Sequence, residues 1–276
     1  MEIFINNNFV NINKKIIGAN DRGFLLGDGI FTTIKAINSE LKYFDNHMAR
    51  LFRHASMIYI NIPMSIDEIK NNCIELLKRN NLENNIALIR ITITRGESER
   101  GINIPKKNKP TILIKTTPYI ENLNELPKLC FTSIVRNDLS ILTKIKSLNF
   151  LEQILAKKEA QEKGFDDGIM LNTRNAICES STANLFFVTS NYEVLTPHLS
   201  EGVLDGIIRS NVINACKKLN IPILQRSIKP EDIYDCIEAF QTNCAIEIQN
   251  IMSIEDMEFK YNNDSVTQLI REYCKT

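Results

Sequence analysis

The sequence predicts an α+β protein in two domains, on three observations. Strand-like and helix-like segments come in runs rather than in a regular β-α-β alternation. The segment 118–127, PYIENLNELP, carries two prolines and little periodicity and interrupts the pattern. A chain of 276 residues, 43% hydrophobic and 24% charged, is long enough for two medium-sized cores. The expected division is a small N-terminal domain over 1–117, a linker over 118–127 and a larger domain over 128–276.

Residues 1–20 alternate short apolar runs (Ile3 to Ile5, Phe9-Val10, Ile16-Ile17) with Asn-rich turns, which predicts a small antiparallel start. Gly27-Asp28-Gly29 reads as a tight turn into a β-rich stretch, and Asn38-Ser39 as a hairpin turn. Asp45 is the candidate cap of a helix whose apolar stripe is Met48, Leu51, Phe52, Ala55, Ile58 and Tyr59. A capping box from Ser65 to Glu68 opens a second helix, with Ile69, Cys73, Leu76 and Leu77 on one face. Strands follow at 86–94 and 111–117, joined by a charged loop, RGESERGINIPKKNK. In the second half the pattern predicts strands near 129–135, 168–172, 184–189, 223–228 and 237–242. Helices are expected at about 205–219 and from about 264.

The segment 144–160 places a lysine just ahead of a further helix. Ser147 offers a hydroxyl for an N-cap, Phe150, Leu151, Ile154, Leu155 and Ala156 recur at helical spacing as a face expected to be docked, and Gly164 closes the helix. A lysine ahead of a helix is more often a solvated surface group; one that is desolvated there has its charged form disfavoured and is a usable nucleophile or base. Three other stretches have the wrong composition for plain packing. In 178–188 Glu179 and small hydroxyl residues precede an apolar strand. In 202–210 a glycine lies at the mouth of a helix, whose free N–H groups can receive an anion. The third, 241–247, is a polar break after a strand.

Lys plus Arg and Asp plus Glu are both 33, so no net charge and no long basic run points to nucleic acid. No apolar run approaches the roughly 18 residues of a membrane span, and no signal-like N-terminus is visible, so a cytoplasmic location is expected. Seven scattered cysteines without a C-x-x-C pair fit reduced thiols, and the three histidines, His47, His54 and His198, have no metal-ligand spacing, so no metal is expected.

At these stretches the chain resembles the fold-type IV, or class IV aminotransferase, family of pyridoxal phosphate enzymes over essentially its whole length. K-x-L-N is matched by Lys146, Leu148 and Asn149, and E-x-x-x-x-N-(L/V)-F by Glu179, Asn184 and Phe186. R-L after an early helix is matched by Arg50-Leu51, and G-I-x-R by Gly206, Ile207 and Arg209; the G-D-G turn is the fifth motif. The resemblance implies a smaller N-terminal α/β domain and a larger C-terminal pseudo-barrel. It implies pyridoxal 5'-phosphate as cofactor, with Lys146 holding it covalently and then acting as base, and Glu179 pairing with the pyridine nitrogen. Arg50, the backbone of Ile207 and Ile208, and the turn at Asn243 and Cys244 are the implied phosphate anchors. Ile208 stands where the family commonly has Thr, and Asn250 where it commonly has Pro. A small-molecule amino substrate and a homodimer are implied as partners.

Within the family, GDGIFTT is similar to the 4-amino-4-deoxychorismate lyases, which release pyruvate and leave 4-aminobenzoate for folate synthesis. Alternation puts Phe31 and Thr33 on one face of the strand and Thr32 on the other, making Thr33 the candidate catalytic hydroxyl. RGESERGI resembles the lyase R-G-x-x-x-R-G, with Arg100 the candidate for a substrate carboxylate and Phe31 a substrate contact; LNFLEQ and Thr242-Asn243 are also lyase-like. KSLN, LAKKEAQEKG and ESSTAN are equally close to D-amino-acid aminotransferases. The expectation is therefore the lyase, with a D-amino-acid or branched-chain aminotransferase as the alternative. A non-catalytic protein of the same fold is a third possibility, which intact Lys146 and Glu179 oppose.

Overall fold

A computed structural model describes residues 1–121 and 126–275. The expected linker, 118–127, therefore lies partly outside the described residues. The chain divides into two compact units, Met1–Ile120 with Ile145–Asn149, and Glu121–Lys144 with Phe150–Thr276. The segment that carries Lys146 thus groups with the first unit, not with the residues on either side of it.

The first unit begins with strands β1 (Glu2–Ile5) and β2 (Asn8–Asn11) and a five-residue helix, α1 (Arg22–Leu26). Then come β3 (Gly29–Ile37), β4 (Glu40–Leu41), helices α2 (Phe44–Met57) and α3 (Ile66–Arg79), and β5 (Ile86–Thr94) and β6 (Thr111–Pro118). The strands form one antiparallel sheet in the order β2-β1-β6-β5-β3-β4. Ile30 and Ile34 of β3 join Met48, Leu51 and Ala55 of α2 and Ile69, Leu76 and Leu77 of α3 in the core. Period two then puts Phe31 and Thr33 on the opposite face, with Thr92 and Arg90 as their register partners on β5.

The Ser65–Glu68 capping box is present in both directions. Ser65→Ala should cost about 1 kcal/mol, read as a lower urea midpoint with an unchanged slope. Asp45, by contrast, is not a cap. The helix starts one residue earlier, behind Tyr43 in the left-handed region, and Asp45 sits in its first turn, where a negative charge favours the helix dipole. Tyr59 leaves the apolar stripe and is exposed, because the helix ends at Met57.

The second unit contains β7 (Lys128–Arg136), α4 (Leu151–Glu162), β8 (Asp167–Asn172), β9 (Ile177–Ser180), β10 (Asn184–Thr189) and β11 (Val194–Pro197). It continues through α5 (Ile207–Lys218), β12 (Ile223–Arg226), β13 (Cys236–Asn243), β14 (Glu247–Asn250), β15 (Ser253–Ile254), β16 (Met257–Glu258) and α6 (Val266–Lys275). The strands run in the order β12-β11-β10-β9-β8-β7-β15-β16, and β13 branches from β10 and carries β14. Leu129, Ile169, Leu185, Phe187 and Ala239 centre its core. Both units combine sheets with flanking helices, the α+β class expected.

Helix α4 differs from the sequence expectation. Ser147 does not cap it; its hydroxyl accepts from the backbone of Asn149, and Phe150 occupies the N-cap position without a side-chain cap. Leu151, Ile154 and Leu155 are 66%, 60% and 46% exposed, whereas Gln153, Ala156 and Ala160 are buried. The helix packs too close to β8 for large side chains. A Cβ built on Gly168 would lie 2.7 Å from the Ala156 carbonyl oxygen, so alanines face inward and the branched residues turn out. Among the described residues no helix is long and apolar enough to cross a membrane.

Candidate active site

Lys146 is half-buried and stapled to β3. The Phe31 N–H donates to its carbonyl at 3.0 Å, and the Leu148 N–H donates to Gly29 O at 3.0 Å. Its own N–H donates to His54 Nδ1 at 3.0 Å. The ammonium lies 4.6 Å from the Phe31 ring centroid, and the Arg90 guanidinium lies 3.6 Å from the same ring. One face of β3 and β5 therefore carries two cations, an aromatic ring and the half-buried Thr33.

Behind that face lies a buried polar chain. Thr32 Oγ1 bonds His47 Nδ1 at 2.7 Å and accepts from Arg50 at 3.5 Å. His47, Arg50 and His54 lie on one face of α2, three and four residues apart, and all are buried. Thr32, on the alternate face from Thr33, is thus the threonine that meets Arg50.

Burial, then the Arg50 and Lys146 charges, hold His47 down to about 3; burial, then Arg50, Arg53 and Lys146, hold His54 down to about 4. Both rings are neutral in the folded protein, as the acceptor role of His54 requires. The unfolded chain takes up these protons as pH falls below about 6.5 and the folded protein does not. Their contribution to stability is complete above that pH and is lost as pH falls from there to about 4 for His54 and about 3 for His47. The melting temperature of the cofactor-free protein should therefore drop between pH 6.5 and 5, and His54→Gln should flatten that slope.

In the second unit Glu179 is buried on β9. One carboxylate oxygen accepts from Arg136 at 3.0 Å; the other accepts from the Leu204 N–H at 3.0 Å and from Asn184 at 3.3 Å. Asn184 also donates to Leu204 O at 3.0 Å. A Cβ at Gly206 would lie 2.0 Å from Asn184 Oδ1, so glycine lets the N-terminus of α5 sit directly on this network. Gly206→Ala should displace Asn184 and lower the melting temperature, by the equivalent of about 1–3 kcal/mol. Gly206 provides no side-chain cap for α5, whose first residues, Ile207 and Ile208, are buried. Helix N–H groups of this kind suit an anion.

In the first unit Lys146, Phe31 and Thr33 thus share one face with Arg50 behind it, and in the second Glu179 lies beside the α5 terminus. Arg100 is exposed on the loop after β5. The Asn243 side chain is committed to its own turn, accepting from Ala245 and Ile246 and donating to Thr182 O. Cys244 is half-buried, and the hydroxyl of neighbouring Thr242 is buried without a partner among the described residues. Sequence reasoning missed His47, His54, Arg90 and Arg136. The i, i+3 and i, i+4 spacing around Arg50 was a signal for the histidines. A lone charge inside IALIRITIT was one for Arg90.

Residues 29–254 match the family model for amino-transferase class IV. The chain belongs to the class IV aminotransferase family. A Methanocaldococcus jannaschii protein named as a candidate branched-chain-amino-acid aminotransferase is 31% identical over 274 residues, 99% of this chain and 93% of that protein. The Bacillus subtilis aminodeoxychorismate lyase is 27% identical over 272 residues, 98% of this chain and 92% of that enzyme. Among solved structures, the branched-chain aminotransferase of Thermoproteus uzoniensis with norvaline superposes with a TM-score of 0.91 at 26% identity, covering 100% of this chain and 93% of that one. Class IV aminotransferases are pyridoxal-phosphate-dependent enzymes, and this chain is an enzyme of that kind. Each unit has groups of the kind the cofactor takes: in the first an amine beside an aromatic ring and a buried arginine, and in the second a buried carboxylate and a twelve-residue helix without a side-chain cap.

Proposed function

We propose that this class IV enzyme is a 4-amino-4-deoxychorismate lyase. The observation that carries the reading is the face of β3 and β5, where Thr33 is paired with Arg90 and lies on the same side as the Lys146 ammonium. That face offers an uncharged hydroxyl with a guanidinium next to it, which suits a substrate bearing carboxylates and a leaving enol ether. The reaction breaks the C–H bond at the amino-bearing ring carbon and the C–O bond to the enolpyruvyl group, and returns a proton to the released enolpyruvate. Atoms balance as 4-aminobenzoate plus pyruvate.

Bound pyridoxal phosphate supplies the electron sink for the developing carbanion. Lys146 would hold it, and the Lys146 Nζ would take the substrate C–H proton. The Thr33 hydroxyl donates a hydrogen bond toward the departing oxygen. Glu179, held by Arg136, Asn184 and the Leu204 N–H, would pair with the ring nitrogen. Arg50 and the N–H groups of Ile207 and Ile208 take the phosphate, with the backbone at Asn243 and Cys244 completing its surroundings. Arg90 and Arg100 serve the substrate carboxylates, and Phe31 packs against the ring.

The second reading is an aminotransferase for branched-chain or D-amino acids, supported by the identity to the M. jannaschii relative. One paired assay separates them. With 4-amino-4-deoxychorismate the lyase forms 4-aminobenzoate and pyruvate in equal amounts; leucine or D-alanine with 2-oxoglutarate gives no glutamate. Glutamate formation without 4-aminobenzoate sinks the lyase assignment. A homodimer is part of the same proposal. Leu139, Ile141 and Leu142 and the outward side chains of α4 expose apolar surface of the kind an obligate interface buries.

A further inference from the structure

The loop after β5 combines exposed side chains with a fixed backbone. Glu99 and Arg100 are exposed and Ile102 is 84% exposed. Yet three consecutive carbonyls converge on the buried Arg22 guanidinium, which donates to Gly101 O at 2.9 Å, Ile102 O at 3.3 Å and Asn103 O at 3.4 Å. It also donates to Ser98 Oγ at 3.3 Å, and its Nε donates to Asp28 at 2.8 Å. Asp28 is shared with buried Arg95, which grips it at 2.7 and 2.9 Å and spends its other N–H groups on Ile58 O and Tyr59 O. Two glycines of the loop suit this geometry. A Cβ at Gly96 would lie 1.9 Å from the Lys109 carbonyl oxygen, and Gly101 has φ +125°, a conformation that favours glycine.

Exposed loop carbonyls are ordinarily satisfied by water, at no cost in buried charge. Here two arginines are buried around one carboxylate to fix them instead. Asp28 leads directly into Gly29, whose carbonyl accepts from Leu148, so the clamp is continuous with the segment bearing Lys146. Fixing a backbone whose side chains point outward pre-organises a recognition surface, and pre-organisation lowers the ordering cost of binding.

We propose that Arg22, locked by Asp28 and Arg95, is a positioning residue that holds 98–103 as a pre-formed recognition loop for the substrate carboxylate, setting substrate affinity rather than the chemical step. The inference rests on the substrate role given to Arg100 above. Arg22→Gln in the full-length holoenzyme tests it twice. Trypsin cleavage after Arg100 needs no activity, and should be about tenfold faster than in wild type at matched thermal stability. KM for the turned-over substrate should rise about tenfold with kcat within about threefold, and R22Q/R100Q should be no worse than R100Q alone. Unchanged cleavage overturns the clamp. Faster cleavage with unchanged KM, or an additive double variant, overturns the binding role. Should R22Q not fold, Gly101→Ala, which strains the same backbone, carries both measurements with the same expected results. A wild type that turns over neither substrate pair defeats the proposed function, while the cleavage rates still decide the clamp.

Discussion

Lys146→Ala is expected to lower turnover by at least about four orders of magnitude while leaving the fold intact. The size follows from what surrounds the amine. His47 and His54 in the same unit are poor substitute bases, because burial and neighbouring cations hold these rings down to about 3 and about 4. Neither retains an abstracted proton at neutral pH. Both also have Nδ1 engaged, with Thr32 and with the Lys146 backbone respectively. The substitution removes a half-buried side chain and none of the backbone hydrogen bonds that staple the segment to β3. Circular dichroism and the melting temperature should therefore stay near wild type while single-turnover chemistry disappears. Partial recovery with added methylamine would identify the loss as chemical.

Glu179→Gln should cost about 10²–10³ in kcat, with KM moving far less, because the carboxylate acts on charge that develops after substrate is bound. The Arg136 guanidinium, the Leu204 N–H and the Asn184 amide at its oxygens are donors. A glutamine must turn its own NH₂ toward one of them. The variant should therefore also lose about 1–3 kcal/mol of stability, seen as a lower melting temperature, an effect Lys146→Ala does not share. A drop in stability with unchanged kcat would reduce Glu179 to a structural acid.

Lys146 and Glu179, the two residues given the largest expected effects, could be singled out in the sequence because their motifs bind chain geometry to chemistry. Lys146 and Glu179 stand at fixed offsets from residues that also shape the backbone, Leu148 and Asn149 for one and Asn184 for the other. Strand β10 and the α3 capping box were legible for a local reason, since a short apolar run and an S-x-x-E pair carry their own boundaries. Helix α4 was not, because periodicity finds a stripe but not which side a sheet approaches; the close contact at Gly168 selected the alanine face. The Arg22–Asp28–Arg95 clamp joins residues up to 73 positions apart, counting from Arg22 to Arg95; Asp28 and Arg95 stand in the G-D-G and R-G-x-x-x-R-G motifs, but nothing in sequence pairs them with Arg22. Arg90 stood out in sequence only as a lone charge inside an apolar strand, and strand register placed it opposite Thr33.

The central claim, that Lys146 carries the cofactor, is tested most directly by reducing the pyridoxal-phosphate-loaded enzyme with borohydride and sequencing the tagged peptide by mass spectrometry. One phosphopyridoxyl group per chain on Lys146, lost in Lys146→Ala, is the predicted result. Label on another lysine, or none from a wild type incubated with excess cofactor, would contradict it.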